Sequence, residues 1–283
     1  DGYVDDVHGW NFVTNRSELQ PLRKQGQSSK AMSHGTAVAS LIGGRGNDGI
    51  GMAGVAWNVR LMPLVILDAD GAGTLDGLME AIRYAVSHGA SIINLSLAGL
   101  DYDEQLDQLM RRAALANVTI VAATGNDGRR KSGLNIDETP TYPACMDGSM
   151  NAVLGVSGTD TLDQKAPYAN AGQVCTDLSA PGHDIFAARP QENSGTSTHP
   201  GYMEGLTGTS VAAPLVSGVA ALIKSLQPSW TAEQIRHRLI QSTDPIEDST
   251  VAVHGRLGSG RLNAAKAVQG LLPTPIIESV TTT

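Results

Sequence analysis

With 283 residues, of which 41% are hydrophobic and 17% charged, the chain is long enough for one large α/β domain and too apolar for wholesale disorder. A domain of that size buries roughly 75% of the surface its unfolded form exposes, so a second domain is not required. Lys and Arg number 20 against 28 Asp and Glu, a net charge of −8; this argues against nucleic acid or an anionic membrane as the main partner and predicts a soluble monomer whose copies repel one another.

The chain opens DGYVDDVHGWNFV, rich in carboxylates, and no signal peptide is recognisable there. Asp1 is not an initiator, so a processed or truncated product is expected. His8 precedes Gly9 and Trp10 with no helical run after it and is read as structural, while Asp1, Asp5 and Asp6 read as a solvated acidic turn rather than an ion site. MSHGTAVASLIGG follows, with small and apolar residues suited to a tightly packed helix. GRGNDG (44–49) matches G-x-G-x-x-G but follows a helix-like segment where a dinucleotide fingerprint follows a strand, so no cofactor is expected there. VRLMPLVIL (59–67) reads as a buried strand. DADGAGTLD starts like a calcium loop, yet Ala72 and Met79 stand where ligands are required, leaving a Gly-rich turn.

Thereafter helices and strands alternate: a helix at 75–89 ending at Gly89, the strand ASIINLSLAG, a helix at 104–117, then the strands VTIVAATGN and NAVLGVSG. GTSVAAPLVSGVAALIKSL (208–226) is apolar on every side, as a helix in the middle of a domain is. No run reaches the roughly 18 residues expected of a membrane span. TAEQIRHRLIQST is an amphipathic helix, and 271–283, rich in Pro and Thr, is a linker or tail. Strands apolar on both faces imply a parallel sheet covered on both sides, with functional loops at the strand C-terminal ends, here INLSLAG and AATGND. Cys145 and Cys175 are too few for a disulfide scaffold and lack C-x-x-C spacing, which leaves one bridge or two inert thiols.

Three places can carry chemistry. His34 is expected at a helix start, where a fixed imidazole suits a general base. Ser210 stands where a loop turns into the buried helix, whose free first-turn N–H groups stabilise an oxyanion. Asn126 follows an apolar strand on a Gly turn and offers an amide donor. NSGTSTHPG repeats the GTS triplet without a helix after it and is a decoy. Taken singly, each of the three has a bland reading as a cap or turn residue. His88, His183, His199, His237 and His254 form no H-x-x-x-H pair and default to surface roles.

In the order HGT, ATGN, GTSVAAP, joined by NDGIGMAGVAW, GASIINLSL, TYPA, DLSAPG and GSGRLNAAKAV, these segments resemble the subtilases, the subtilisin-like serine proteases, over nearly the whole chain. The resemblance implies a three-layer α/β/α domain over residues 1–270. It implies Ser210 as nucleophile, His34 as general base and then acid, and Asn126 with the Ser210 N–H as oxyanion hole. A peptide or protein substrate would lie as an added strand along Ser96, Leu97 and Ala98, its side chain entering a pocket walled by Ala123, Thr124 and Gly125. It further implies a structural Ca2+ held by the Asp48 side chain and the carbonyls of Gly46, Ile50 and Met52, a Cys145–Cys175 disulfide, an extracellular location, and a propeptide or protein inhibitor as partner.

The sequence departs from the family at its start. The triad Asp sits there in an apolar strand reading like V-A-V-I-D-x-G, and no such strand is present, so the sheet is expected to lack its first strand and the carboxylate to lie upstream of Asp1. Asp5 or Asp6 as substitute, or a homologue without the Asp, are the alternatives; without it turnover falls by about four orders of magnitude. A catalytically impaired binding module is therefore the rival to the peptidase.

Overall fold

The computed structural model describes residues 3–19, 29–99, 101–127, 133–146, 151–190, 201–246 and 255–271. In chain order they form β1 (Trp10–Asn11), α1 (Ser29–Gly43), β2 (Leu64–Val65), α2 (Leu75–Ser87), β3 (Ile92–Leu95), α3 (Glu104–Leu115), β4 (Thr119–Ala123), β5 (Val153–Thr159), β6 (Leu178–Pro181), β7 (Ile185–Ala188), β8 (Tyr202–Leu206), α4 (Thr209–Leu226), α5 (Ala232–Gln241) and α6 (Ala264–Val268).

β3, β4, β5 and β6 pair in sequence order as a parallel sheet. Each face of that sheet is apolar, because alternate residues of one strand point to opposite sides. On β4, Ile120 and Ala122 join the cluster of α2 and α3, whose Ile82 and Met110 are almost wholly buried. Val121 and Ala123 join the opposite cluster, built with α4, α5 and α6. Helices on both faces make the three-layer α/β/α architecture that alternating helices and apolar strands demand.

The helices begin where side-chain acceptors meet free N–H groups. Thr74 Oγ1 accepts from Gly77 N, Asp103 Oδ1 from Leu106 N, and Thr231 with Gln234 forms a capping box. Among the described residues α4 is the helix long and apolar enough to cross a bilayer, against the expectation that no run would be. Its burial against the sheet and α1 identifies it as the core helix of a globular domain.

Two further expectations are corrected. The strand expected over 59–67 shrinks to Leu64–Val65, with Arg60, Leu61, Met62 and Pro63 exposed, since Pro63 brings no N–H to a ladder. α1 starts at Ser29 rather than beside His34, so the imidazole sits in the second turn and not at the helix entry; the Lys-Ala-Met run before it has high helix propensity and extends the helix backward.

β1 pairs with β2 in parallel, Trp10 opposite Leu64, as a two-stranded sheet apart from the four-stranded one. Leu64 and Ile66 nevertheless pack on the same core as Ile93 and Leu95 of β3. Cys145 and Cys175 form the disulfide the resemblance implies, with Cα atoms 4.8 Å apart across a 30-residue separation; closing such a loop contributes about 3–4 kcal/mol in chain-entropy terms. The tail from residue 272 lies outside the described residues.

The C-terminal segment is fastened to β6 through Asp244. Its backbone exchanges hydrogen bonds with Arg261, which bridges Ser179 of β6, and its carboxylate accepts from Lys266, Asn263 and Arg261. These donors, Lys266 foremost, pull its pKa from 3.8 down to about 2. A depressed carboxylate stabilises the fold above its unfolded pKa and loses that contribution as pH falls through the folded value. Asp244→Asn should therefore melt below the parent near neutral pH, with the gap closing between pH 3.8 and about 2; thermal melts of both chains across that range check it.

Candidate active site

At the C-terminal ends of β3 and β4 lies a cavity of about 320 Å3. His34 of α1 and Ser210 of α4, 176 positions apart in the sequence, both line it. What joins them is packing of the two helices: Ala37 and Leu41, on the His34 face of α1 at i+3 and i+7, are buried against Val211, the neighbour of Ser210. The helix start expected at Ser210 is observed, with Gly208 at the cap position and Ser210 in the first turn.

Pro214 also lies in α4 and has no N–H for the Ser210 carbonyl one turn back. An interior helix proline costs about 3 kcal/mol when nothing compensates. Here the Ser96 hydroxyl donates to that carbonyl at 2.7 Å. Ser96 Oγ in turn accepts from Asn94 Nδ2, and Asn94 Oδ1 accepts from Ser217 Oγ on α4. This chain of polar groups ties the end of β3 to the nucleophile turn, giving Ser96 a supporting part besides its place in the cavity wall.

Asn126 is oriented by Thr209. Its Oδ1 accepts from the Thr209 N–H at 2.8 Å and from Thr209 Oγ1 at 3.1 Å, while Thr209 Oγ1 accepts from Gly125 N. Because the carbonyl oxygen of the amide must face these donors, Nδ2 faces the other way. A Cβ added at Gly208 would lie 3.1 Å from Ser210 Oγ and 3.3 Å from Asn126 Nδ2, so hydroxyl and amide donor border one space that only glycine leaves open. A nucleophile with a polarised donor beside it is the arrangement that stabilises an oxyanion.

Of the residues proposed for the substrate cleft, Leu97, Ala98, Ala123 and Gly125 line the cavity, and Thr124 does not. Thr124 is fully buried behind the wall, its hydroxyl donating to the Asn170 and Val156 carbonyls; strand alternation turns it away from its neighbours' side. Thr141, Gly99, Asp127 and Thr209 line the cavity without having been anticipated. Asn170, also unanticipated, holds the wall from inside. Its Nδ2 donates to the Thr124 carbonyl and Asp127 Oδ2, its Oδ1 accepts from Asp127 N and Leu134 N, its N–H donates to Gly125, and its carbonyl accepts from Ser157 and Thr124. An asparagine between two alanines in a loop carries no sequence signal of such a part.

His34 is half-buried, and burial lowers its pKa from 6.5, with no carboxylate beside it among the described residues to hold the charged form. Asp6 accepts from the Tyr84 hydroxyl on α2, and Asp5 is exposed on a left-handed turn, so neither is placed as a carboxylate partner of His34. His8 is exposed. Asp48 Oδ1 caps Ile50 N, closing a turn in the loop of Gly46, Ile50 and Met52, and no group of three or more His, Cys, Asp or Glu suited to a metal occurs among the described residues. The decoy triplet, His199 and His254 lie outside the described residues.

Replacing Asn170 by Ala should destabilise the fold by roughly 2–4 kcal/mol, since buried donors and acceptors lose their partners together. Urea unfolding measures this; a change under 1 kcal/mol would deny Asn170 its central place.

Comparison with known proteins gives the family. A family model described as the Subtilase family matches residues 4–264. Subtilisin DY of Bacillus licheniformis is 33% identical over 263 residues, covering 93% of this chain and 84% of that protein. Thermitase of Thermoactinomyces vulgaris is likewise 33% identical over 93% of this chain and 81% of its own length. A solved structure titled as proteases from Pseudoalteromonas arctica PAMC 21717 superposes with a TM-score of 0.73 at 25% identity, over 96% of this chain and 88% of that one. The chain belongs to the subtilase family, a family of serine proteases.

Proposed function

We propose that this domain is a serine endopeptidase in which Ser210 attacks the peptide carbonyl, His34 takes its proton and returns it to the leaving amine, and Asn126 Nδ2 with the Ser210 N–H binds the oxyanion. The observation that carries the reading is the single space over Gly208 bordered by Ser210 Oγ and Asn126 Nδ2, in a cavity that His34 also lines. The substrate is a peptide or protein laid along Leu97 and Ala98, whose segment already pairs on one side with Tyr142 through Gly99. The disulfide supports an extracellular site of action, and a propeptide or protein inhibitor would occupy the same cleft.

The carboxylate that orients His34 is proposed to come from a segment upstream of Asp1. The separation of β1–β2 from β3–β6, with Leu64 and Ile93 on one shared core, leaves two parallel blocks that an intervening strand would join. A second reading, a binding module without turnover, is favoured by the His34 ring having no carboxylate neighbour among the described residues.

A fluorophosphonate should label Ser210 in a form carrying the upstream segment and not in Ser210→Ala; absence of labelling there would favour the binding module. In the 283-residue chain alone turnover should be lower by about four orders of magnitude. The labelling rate of that chain should rise with pH along a titration centred below 6.5, because burial holds His34 neutral and ready to accept a proton.

Calcium at Gly46, Asp48, Ile50 and Met52 belongs to the same proposal. Hard oxygen donors in an exposed loop suit it, and a chelator should then lower the melting temperature. An unchanged melt removes the ion from the reading.

A further inference from the structure

We propose that Asp127 makes the cavity a pocket for a basic side chain, so that the substrates are peptides with Lys or Arg at the residue whose carbonyl Ser210 attacks. This rests on the peptidase reading and deepens it. Among the described residues Asp127 is the one carboxylate lining the cavity, and no Lys or Arg lines it. Its carboxylate is fixed, because Asn170 Nδ2 donates to Oδ2 at 2.8 Å and Asn170 Oδ1 accepts the Asp127 N–H at 3.2 Å. Asn170 is itself fully buried and held through its own backbone, so the charge stands on a rigid support. Asp127 is exposed, and Oδ1 has no partner among the described residues.

The remaining wall favours a long, unbranched stem. Ala98 brings a methyl group beside Gly125, which has none, while Ala123 belongs to the core cluster under α4. A Cβ at Gly125 would come 3.3 Å from the Ala98 Cβ and 2.7 Å from Asn170 Nδ2, so the slot between the two wall segments stays open only because residue 125 is glycine. Lys and Arg lay methylene stems along such apolar walls while the cationic head reaches a polar end. An aromatic side chain would fill the slot without meeting Asp127 Oδ1. A Glu would set like charge against it. The sequence continues through Arg129, Arg130 and Lys131, which lie outside the described residues; an acidic probe tests whether those cations prevail.

The experiment compares peptidyl diphenylphosphonates carrying Lys, Phe or Glu next to phosphorus, which report by covalent labelling of Ser210, on the chain with its upstream segment. The Lys probe should react fastest, and added NaCl should erode its lead. Asp127→Asn, which keeps an acceptor for Asn170 Nδ2, should lower the Lys-to-Phe rate ratio about three- to tenfold, the range of a partly exposed ion pair. Asp127→Glu should retain the Lys preference. A ratio unchanged in Asp127→Asn, or a lead for the Glu probe, overturns the proposal. If a plain fluorophosphonate fails to label Ser210 at all, the peptidase reading falls separately. Calorimetry with peptides ending in Lys, Phe or Glu then decides the pocket: tighter Lys binding that Asp127→Asn abolishes sustains it, and equal or absent binding ends it.

Discussion

The site depends on one junction, where the end of β4 meets the first turn of α4. Asn126 Oδ1 takes two hydrogen bonds from Thr209, and Thr209 takes one from Gly125. Through these contacts a strand and a helix from distant parts of the chain share a single rigid corner. The amide orientation, the opening above Gly208 and the place of Ser210 in the cavity wall all follow from it. Without that corner the serine would be one more residue in a helix turn, and the asparagine one more solvated amide.

Two supports keep the corner in place, and they work by different physics. On the α1 side the support is dispersion and apolar burial, since Ala37, Leu41 and Val211 interlock and carry His34 with them. On the β3 side it is polar. Pro214 frees the Ser210 carbonyl, and the relay of Ser96, Asn94 and Ser217 satisfies it. A helix break that would cost about 3 kcal/mol in isolation thereby becomes an attachment point between sheet and helix.

Asn170 extends the same logic to the pocket wall. It engages its backbone and side-chain groups with partners from three other segments, which turns a loop into a wall firm enough to present Asp127. The site is thus a set of loops made stiff by buried polar bonds, resting on a sheet stiffened by apolar packing. His34 alone has no polar support among its described neighbours, and burial by itself sets its basicity.

Much of this was determined by the sequence itself. Periodicity sufficed for β4, α2, α3 and α4, because burial on one stripe or on alternate faces is a local property of residue order. Glycine and hydroxyl placement marked Ser210 and Asn126 as candidates, because helix starts and strand ends carry local signals, and the order of the motifs gave them roles through the resemblance. Local order could not set the start of α1, where tertiary packing accepts a helix longer than the His-Gly pair suggested, nor the length of β2, which needs neighbours on both edges. It could not turn Thr124 inward or find Asn170, Thr141 and Asp127, whose parts come from partners far along the chain. Only folding decides which distant groups satisfy a buried donor, since that depends on positions in space and not on spacing in sequence.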